Sequence, residues 1–158
     1  MPPTARQYPV AYLPAMNATA TLQWEPGFEL GEASMDAAHR EFIERLHDLQ
    51  QCADEEFARH LRAFRAHAEQ HFGDEDRAMQ GGGYASAQCH LDEHKAVLSS
   101  VAEVQALVAQ GNVEVGRRLA RELARWFPEH TVAMDRGLAA WSQKQRLGGA
   151  RIAIVRRP

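Results

Sequence analysis

The sequence predicts an all-α protein folded as an antiparallel up-down-up-down four-helix bundle with an extended N-terminal arm. Apolar residues recur at helical spacing in four stretches, and short turns rich in glycine or polar residues separate these stretches. The 158 residues give room for one compact domain with a single core. Long helices joined by short loops pack most simply as antiparallel neighbours, which gives the bundle.

The extended arm is predicted for residues 1–22, because prolines in this stretch disfavour a helix. These prolines are Pro2, Pro3, Pro9 and Pro14. The bundle is expected over residues 23–147. Residues 148–158 then form a short basic tail that contains three arginines and an apolar run.

The first two helices are bounded by residues that favour helix ends. Ser34 is the expected N-cap of the first helix, which reaches about Cys52. The second helix is expected to begin near Asp54 and to end at the three glycines 81–83, because glycine commonly terminates helices.

The last two helices have similar boundaries. The third is expected to run from Ser86, as its N-cap, to Gly111, and the fourth from Asn112 to the glycines that follow Leu147. Pro128 lies inside the fourth predicted helix, where it removes one backbone hydrogen bond and is expected to kink the chain.

Composition and charge exclude several classes of protein. The formal net charge of −3 and the pI near 6.2 give no broad basic surface for nucleic acid. Cys52 and Cys89 lie in separate predicted helices and form neither a disulfide framework nor a CxxC metal motif, which favours a reduced, cytoplasmic protein. Prolines interrupt the mildly apolar residues 10–16, so we expect no signal peptide. No stretch is long and apolar enough to span a membrane.

Five histidines and two carboxylates form four short groups, one in each predicted helix. The groups are His39 alone, His71 with Glu75, His90 with His94, and His130 with Asp135. Side chains four residues apart share one face of a helix, so the second and third groups each point one way. Imidazole suits iron, zinc and copper, and a carboxylate can bridge two cations. The pattern therefore predicts a dinuclear metal site inside the bundle.

The fourth group does not follow simple helical spacing. His130 and Asp135 are five residues apart, which corresponds to about 140° on a regular helix and would not place both side chains on one face. A kink at Pro128 is one hypothesis for how the two side chains converge.

Other titratable residues have more ordinary interpretations. We expect His47, His60 and His67 to be surface or hydrogen-bonded core residues, although His67 lies one turn before His71 and is a candidate hydrogen-bond partner of the site. Asp36 either orients His39 or complements the dipole at the start of its helix.

The order of these groups resembles the hemerythrin family, in particular its bacterial single-domain branch. The resemblance covers residues 24–142 and rests on Trp24, Gly31, MDAAH at 35–39, HFGDED at 71–76, Met79, Tyr84, HLDEH at 90–94, WFPEH at 126–130 and Asp135. It implies that three histidines bind one iron, two bind the other, and two carboxylates bridge them with an oxo or hydroxo group. These sets are His90, His94 and His130, then His39 and His71, then Glu75 and Asp135.

The resemblance further implies that the iron with two histidines keeps an open position for dioxygen, or for nitric oxide. Phe72, Trp126, Phe127 and Thr131 are expected to line the pocket of this small ligand. Thr131 and Phe127 stand where the family usually has aliphatic residues. A hydroxyl at Thr131 could bond the ligand or admit water and thereby promote irreversible oxidation of the irons.

Two classes of function remain open, and binding leads. The first is reversible binding of dioxygen at a non-haem diiron site, for carriage, storage or sensing. The second is a diiron redox enzyme, an oxidase, a peroxidase or a protein that handles nitric oxide, which uses the same site. Storage of iron is a weaker third interpretation. The expected partner is the small ligand, and the sequence does not identify a protein partner.

Overall fold

The computed structural model describes residues 21–148. The helices are α1 (Ala33–Gln51), α2 (Asp54–Gly82), α3 (Ala87–Ala109), α4 (Val113–His130) and α5 (Arg136–Arg146). A π-helical segment, Thr131–Asp135, joins α4 to α5, and a 3₁₀ turn, Pro26–Phe28, precedes α1. Almost all of the predicted arm and tail lies outside the described residues.

The helices form the predicted bundle. Helix α1 packs against α2, α2 against α3, α3 against α4, and α4 returns to pack against α1. Loops of only a few residues join consecutive helices, which makes neighbours antiparallel. Because α4, the π segment and α5 follow one another without a break, they together supply the fourth long helix. None of the described helices is both long and apolar enough to cross a membrane.

Two of the predicted helix ends are confirmed in detail. Helix α2 stops at Gly83, which adopts a left-handed conformation with φ of 71° that glycine tolerates and other residues rarely adopt. At the start of α4, the Asn112 side chain accepts a hydrogen bond from the backbone N–H of Val115 at 3.3 Å. Ser86 occupies the predicted N-cap position of α3, but its side chain makes no capping hydrogen bond.

The prediction that Ser34 caps the first helix is wrong. The helix begins at Ala33, two residues before the start that Ser34 as N-cap would give, and its N-cap residue Glu32 makes no side-chain capping bond. The carboxylate of Asp36 instead accepts hydrogen bonds from the backbone N–H groups of Leu30 at 2.7 Å and Gly31 at 3.1 Å. A carboxylate in the first turn thus satisfies donors of the preceding chain and holds the entrance to the helix.

The buried apolar residues form two clusters of unequal size. The larger contains all six phenylalanines of the chain, Phe28, Phe42, Phe57, Phe64, Phe72 and Phe127, and the smaller contains Met35, Met79, Leu138 and Ala139. On α1, His39 lies between Met35 of the smaller cluster and Phe42 of the larger, and on the fourth long helix His130 and Asp135 lie between Phe127 and Leu138. The bundle therefore places these polar side chains in a layer between two clusters of apolar residues.

Candidate metal centre

All seven predicted ligands lie close together in the interior of the bundle. Their side chains are almost completely buried. Donor atoms lie within 4.8 Å of one another in two overlapping sets, which are Glu75, His90, His94, His130 and Asp135, and His39, His71 and Glu75. We refer to His90, His94 and His130 as the three-histidine group, and to His39 and His71 as the two-histidine group.

The two carboxylates each divide their oxygens between these groups. Glu75 Oε1 lies 3.0 Å from His71 Nε2, and Glu75 Oε2 lies 3.3 Å from His94 Nε2. Asp135 Oδ2 lies 3.1 Å from His39 Nε2, and Asp135 Oδ1 lies 3.0 Å from His90 Nε2. One oxygen of each carboxylate therefore faces each group, which is the arrangement that a bridging ligand requires.

The π segment explains how His130 and Asp135 reach the same site. The backbone N–H of Arg136 donates to the carbonyl of Thr131, five residues earlier, so the chain widens for one turn. In such a turn, residues five apart lie on the same side. Because the π geometry accounts for the convergence, the hypothesis of a kink at Pro128 is not needed, although Pro128 lies in the helical turn just before the segment.

The ring nitrogens of the three-histidine group point toward one another. His130 Nε2 lies 3.2 Å from both His90 Nε2 and His94 Nε2. Imidazole–metal bonds of roughly 2.1 Å at right angles place two nitrogens roughly 3 Å apart, so this spacing is that of neighbouring ligands around one cation.

Several buried donor and acceptor atoms of the site have no hydrogen-bond partner. They are His39 Nδ1 and Nε2, His71 Nδ1, Glu75 Oε2, His90 Nδ1, and both oxygens of Asp135. His39 Nε2 and Asp135 Oδ2 are therefore close, but their geometry is not that of a hydrogen bond. Each buried unsatisfied polar group costs about 1–3 kcal/mol, and few are tolerated in a native protein. A bound cation would use the free electron pairs on Nε2 and on the carboxylate oxygens, so the residues fit a metal.

Electrostatics within the site favour charged side chains. Burial by itself lowers the pKa of His39, but the carboxylates of Asp135 and Glu75 outweigh burial and raise it to about 9. The same carboxylates raise the pKa of His90 to about 9 against the effect of burial. Burial raises the pKa of Glu75, yet the surrounding imidazoles hold it well below its usual range. The carboxylates that favour a positive charge on these imidazoles would equally favour a bound cation.

Two carboxylates outside the predicted set bind the outer nitrogens of the three-histidine group. His94 Nδ1 donates to Asp76 Oδ1 at 2.7 Å, and His130 Nδ1 donates to Glu93 Oε2 at 2.8 Å. Such bonds orient an imidazole and increase its basicity toward a metal. The sequence analysis missed both residues because each reaches a histidine on a neighbouring helix, where spacing along one helix gives no signal.

Three of the four predicted pocket residues contact the imidazoles. Phe72 stacks on His94 with ring centres 4.1 Å apart, and Trp126 stacks on His130 at 4.3 Å. Phe127 meets His39 edge-on at 5.2 Å. The fourth, Thr131, is fully buried, and its hydroxyl has no hydrogen-bond partner. Their role around a small ligand stays a prediction.

The remaining candidate histidines lie outside the two donor sets. His67 Nε2 lies 3.1 Å from the carbonyl oxygen of Ala38, the residue before His39, so it joins α2 to α1 rather than bonding a predicted ligand. Burial and the neighbouring His71 lower the pKa of His67. Asp36 directs both carboxylate oxygens at Leu30 and Gly31 and not at His39.

A four-helix bundle with a buried set of histidines and carboxylates that can hold a metal defines a class of metal-binding helical proteins. Residues 30–142 match the family model of the hemerythrin HHE cation-binding domain. The chain belongs to the hemerythrin family, as the resemblance predicted.

Two curated relatives are similar to most of the chain. One is a bacteriohemerythrin of Ralstonia nicotianae, 37% identical over 120 residues that cover 76% of this chain and 88% of the relative. The other is a bacteriohemerythrin of Methylococcus capsulatus, 27% identical over 97 residues that cover 61% of this chain and 74% of the relative.

Proposed function

We propose that this chain holds two iron ions in the buried cluster and uses them to bind dioxygen reversibly. The observation that carries the proposal is the division of oxygens by Glu75 and Asp135, each of which offers one oxygen to each histidine group. The hemerythrin family binds iron, and the bacteriohemerythrins that this chain resembles are oxygen-binding proteins rather than enzymes. When bound, the iron pair would supply the electrons that hold dioxygen and take them back on release.

The ligand count makes the two proposed iron positions unequal. Three imidazoles and two carboxylate oxygens would hold one iron, and two imidazoles and two carboxylate oxygens the other. If one oxo or hydroxo group from solvent were shared between them, the positions would have six and five ligands, and the two-histidine group would leave room for a small ligand. The aromatic rings of Phe72 and Phe127 are buried beside the imidazoles of His94 and His39 and shield these rings from water.

A redox enzyme remains the alternative because of one buried residue. The hydroxyl of Thr131 has no hydrogen-bond partner in the protein, so it is free to bind water or a bound ligand. Either would favour irreversible oxidation over release. The cytoplasmic location that the two free cysteines suggested also stays a prediction.

Metal analysis and spectroscopy test the proposal together. We expect two irons per chain, and we expect the absorption spectrum of the reduced protein to change in air and to return under argon. The exposed His47, on the same helix as His39, provides a matched control, because His39→Ala should lower the iron content and His47→Ala should not. One iron per chain would overturn the dinuclear site. A spectral change that argon cannot reverse, with hydrogen peroxide produced, would replace reversible binding by the enzyme.

A further inference from the structure

A cavity between α1, α2 and α5 leads from the surface to the two-histidine group. Its volume is about 320 Å³, and His71 and Glu75 form part of its wall. The buried lining residues Met35 and Leu138 lie on the inner side, whereas Ala78 and Arg146 are exposed and mark the outer side. The cavity is thus open to solvent at one end and reaches the proposed metal site at the other.

The chemistry of the walls suits a small neutral molecule. Met35, Ala38, Ala78 and Leu138 provide an apolar surface. Asp74, which also lines the cavity, is paired with Arg77. A passage that is mainly apolar admits an uncharged diatomic gas more readily than a free ion, because an ion loses its hydration there.

One ion pair across this cavity joins the C-terminal end of α5 to the residue that precedes α1. Arg146 Nη1 on α5 lies 2.6 Å from Glu32 Oε1, at the start of α1. The Glu32 side chain is only 8% exposed, whereas that of Arg146 is 60% exposed, so the arginine reaches inward from the surface. The second oxygen of Glu32 is buried without a hydrogen-bond partner.

We propose that this cavity is the route by which a neutral diatomic ligand reaches the two-histidine group, and that the Glu32–Arg146 ion pair narrows its outer end. The proposal rests on the proposed function. A second cavity of about 330 Å³ lies beside Trp126 and Glu93, but none of the seven predicted ligands lines it. Of these two cavities, the first is the one that reaches the position with fewer ligands.

Rates of oxygen binding and release in the iron-loaded protein test the route. A gate on the path does not contact the bound ligand, so changing it alters both rates and leaves their ratio unchanged. An ion pair with one exposed partner contributes little free energy, so it would be only a small barrier to the ligand. We therefore expect Arg146→Gln to increase both rates only about two- to fivefold. Added salt should accelerate the wild type in the same direction and should hardly affect Arg146→Gln. Arg121→Gln, which breaks the exposed pair with Glu114, is the matched control.

A bulky residue in the wall should have the opposite effect. Ser142 lines the cavity from α5, and Ser142→Trp should slow both rates about tenfold or more, because a close-packed interior yields little. Ser100→Trp places the same side chain in the second cavity and should change neither rate. If Ser142→Trp does not fold or loses iron, Ala78→Phe blocks the same cavity from α2.

Xenon provides a readout that does not depend on oxygen binding. Apolar cavities bind xenon, so crystals of the iron-loaded protein under xenon pressure should show the gas between α1, α2 and α5, and Ser142→Trp should lose it. Unchanged oxygen rates in both Arg146→Gln and a blocking variant, with iron content intact, would overturn the route. Slowing by Ser100→Trp would assign the route to the second cavity. If the wild type itself shows no reversible response to oxygen, the proposed function fails first, and the route falls with it.

Discussion

The two histidine groups share the same bridging carboxylates but differ in what lies behind each ring. In the three-histidine group, His94 and His130 donate from their outer nitrogens to Asp76 and Glu93, whereas the outer nitrogen of His90 has no partner. In the two-histidine group, the outer nitrogens of both imidazoles have no partner. The cavity between α1, α2 and α5 is lined by His71 of the latter group. One half of the site is therefore supported by charge and hydrogen bonds, and the other is accessible.

This difference suggests that the two histidine groups have different roles. A carboxylate behind an imidazole fixes the ring and strengthens its bond to a metal, so the three-histidine group should hold its iron more tightly. The two-histidine group lacks this support and borders the proposed ligand route. We infer that the first half keeps the metal in place and the second half exchanges the ligand.

The largest effect is expected from Glu75→Ala, because Glu75 serves both groups. We expect it to lower the iron content of both positions and to reduce thermal stability. A ligand present at a thousand times its dissociation constant contributes about 4 kcal/mol to folding, and this contribution would be lost. Iron analysis and thermal unfolding of the iron-loaded protein measure the two effects. Full occupancy by two irons in Glu75→Ala would show that Glu75 is not a bridge.

A smaller loss of iron affinity is expected when the carboxylates of Asp76 and Glu93 are replaced, and it should be confined to the three-histidine group. Asp76→Asn and Glu93→Gln keep the side-chain volume and remove the charge, so each should weaken iron binding about 10- to 100-fold. Competition with a chelator measures this affinity. Asp92→Asn is the matched control, because Asp92 adjoins Glu93 but bonds Gln88 instead of a histidine. Equal losses in Asp92→Asn and Glu93→Gln would mean that general surface charge, and not the histidine contact, is responsible.

These contrasts also show what could be predicted from the sequence. The groups on α2 and α3 follow a spacing of four residues, which local helix geometry turns into a shared face. The partners Asp76 and Glu93 act between helices, and only the packing of the bundle reveals them. Likewise, the π segment from Thr131 to Asp135 depends on a widened turn, for which apolar periodicity gives no signal.

Helix ends show the same division between local and tertiary causes. Gly83 ends α2 because its own backbone adopts a left-handed conformation, a property of one residue that the sequence displays. At α1 the prediction of Ser34 as N-cap was wrong because the Asp36 carboxylate reaches back to Leu30 and Gly31. That contact depends on how the chain before α1 folds back toward Asp36, which the sequence does not display.

The two-histidine group has one indirect support, and removing it should have a moderate effect. His67 contacts the carbonyl oxygen of Ala38 and so holds α1 beside His39. His67→Ala should lower the free energy of unfolding by about 1–3 kcal/mol in the metal-free protein, which urea denaturation measures. His67→Gln, which can still donate a hydrogen bond, should restore part of this loss. If both variants are as stable as the wild type, the contact with Ala38 contributes nothing to positioning α1.

The smallest expected change concerns the unpartnered hydroxyl of Thr131, next to His130. Thr131→Val keeps the shape and removes a buried polar group without a partner, so stability should rise by about 1 kcal/mol. If the hydroxyl attracts water to the site, the oxygenated spectrum of Thr131→Val should also persist longer in air. Thr131→Ser keeps the hydroxyl and should oxidise as fast as the wild type or faster. An oxygenated spectrum that lasts no longer in Thr131→Val, with iron content intact, would contradict a role for this hydroxyl in moving the protein from binding oxygen toward consuming it.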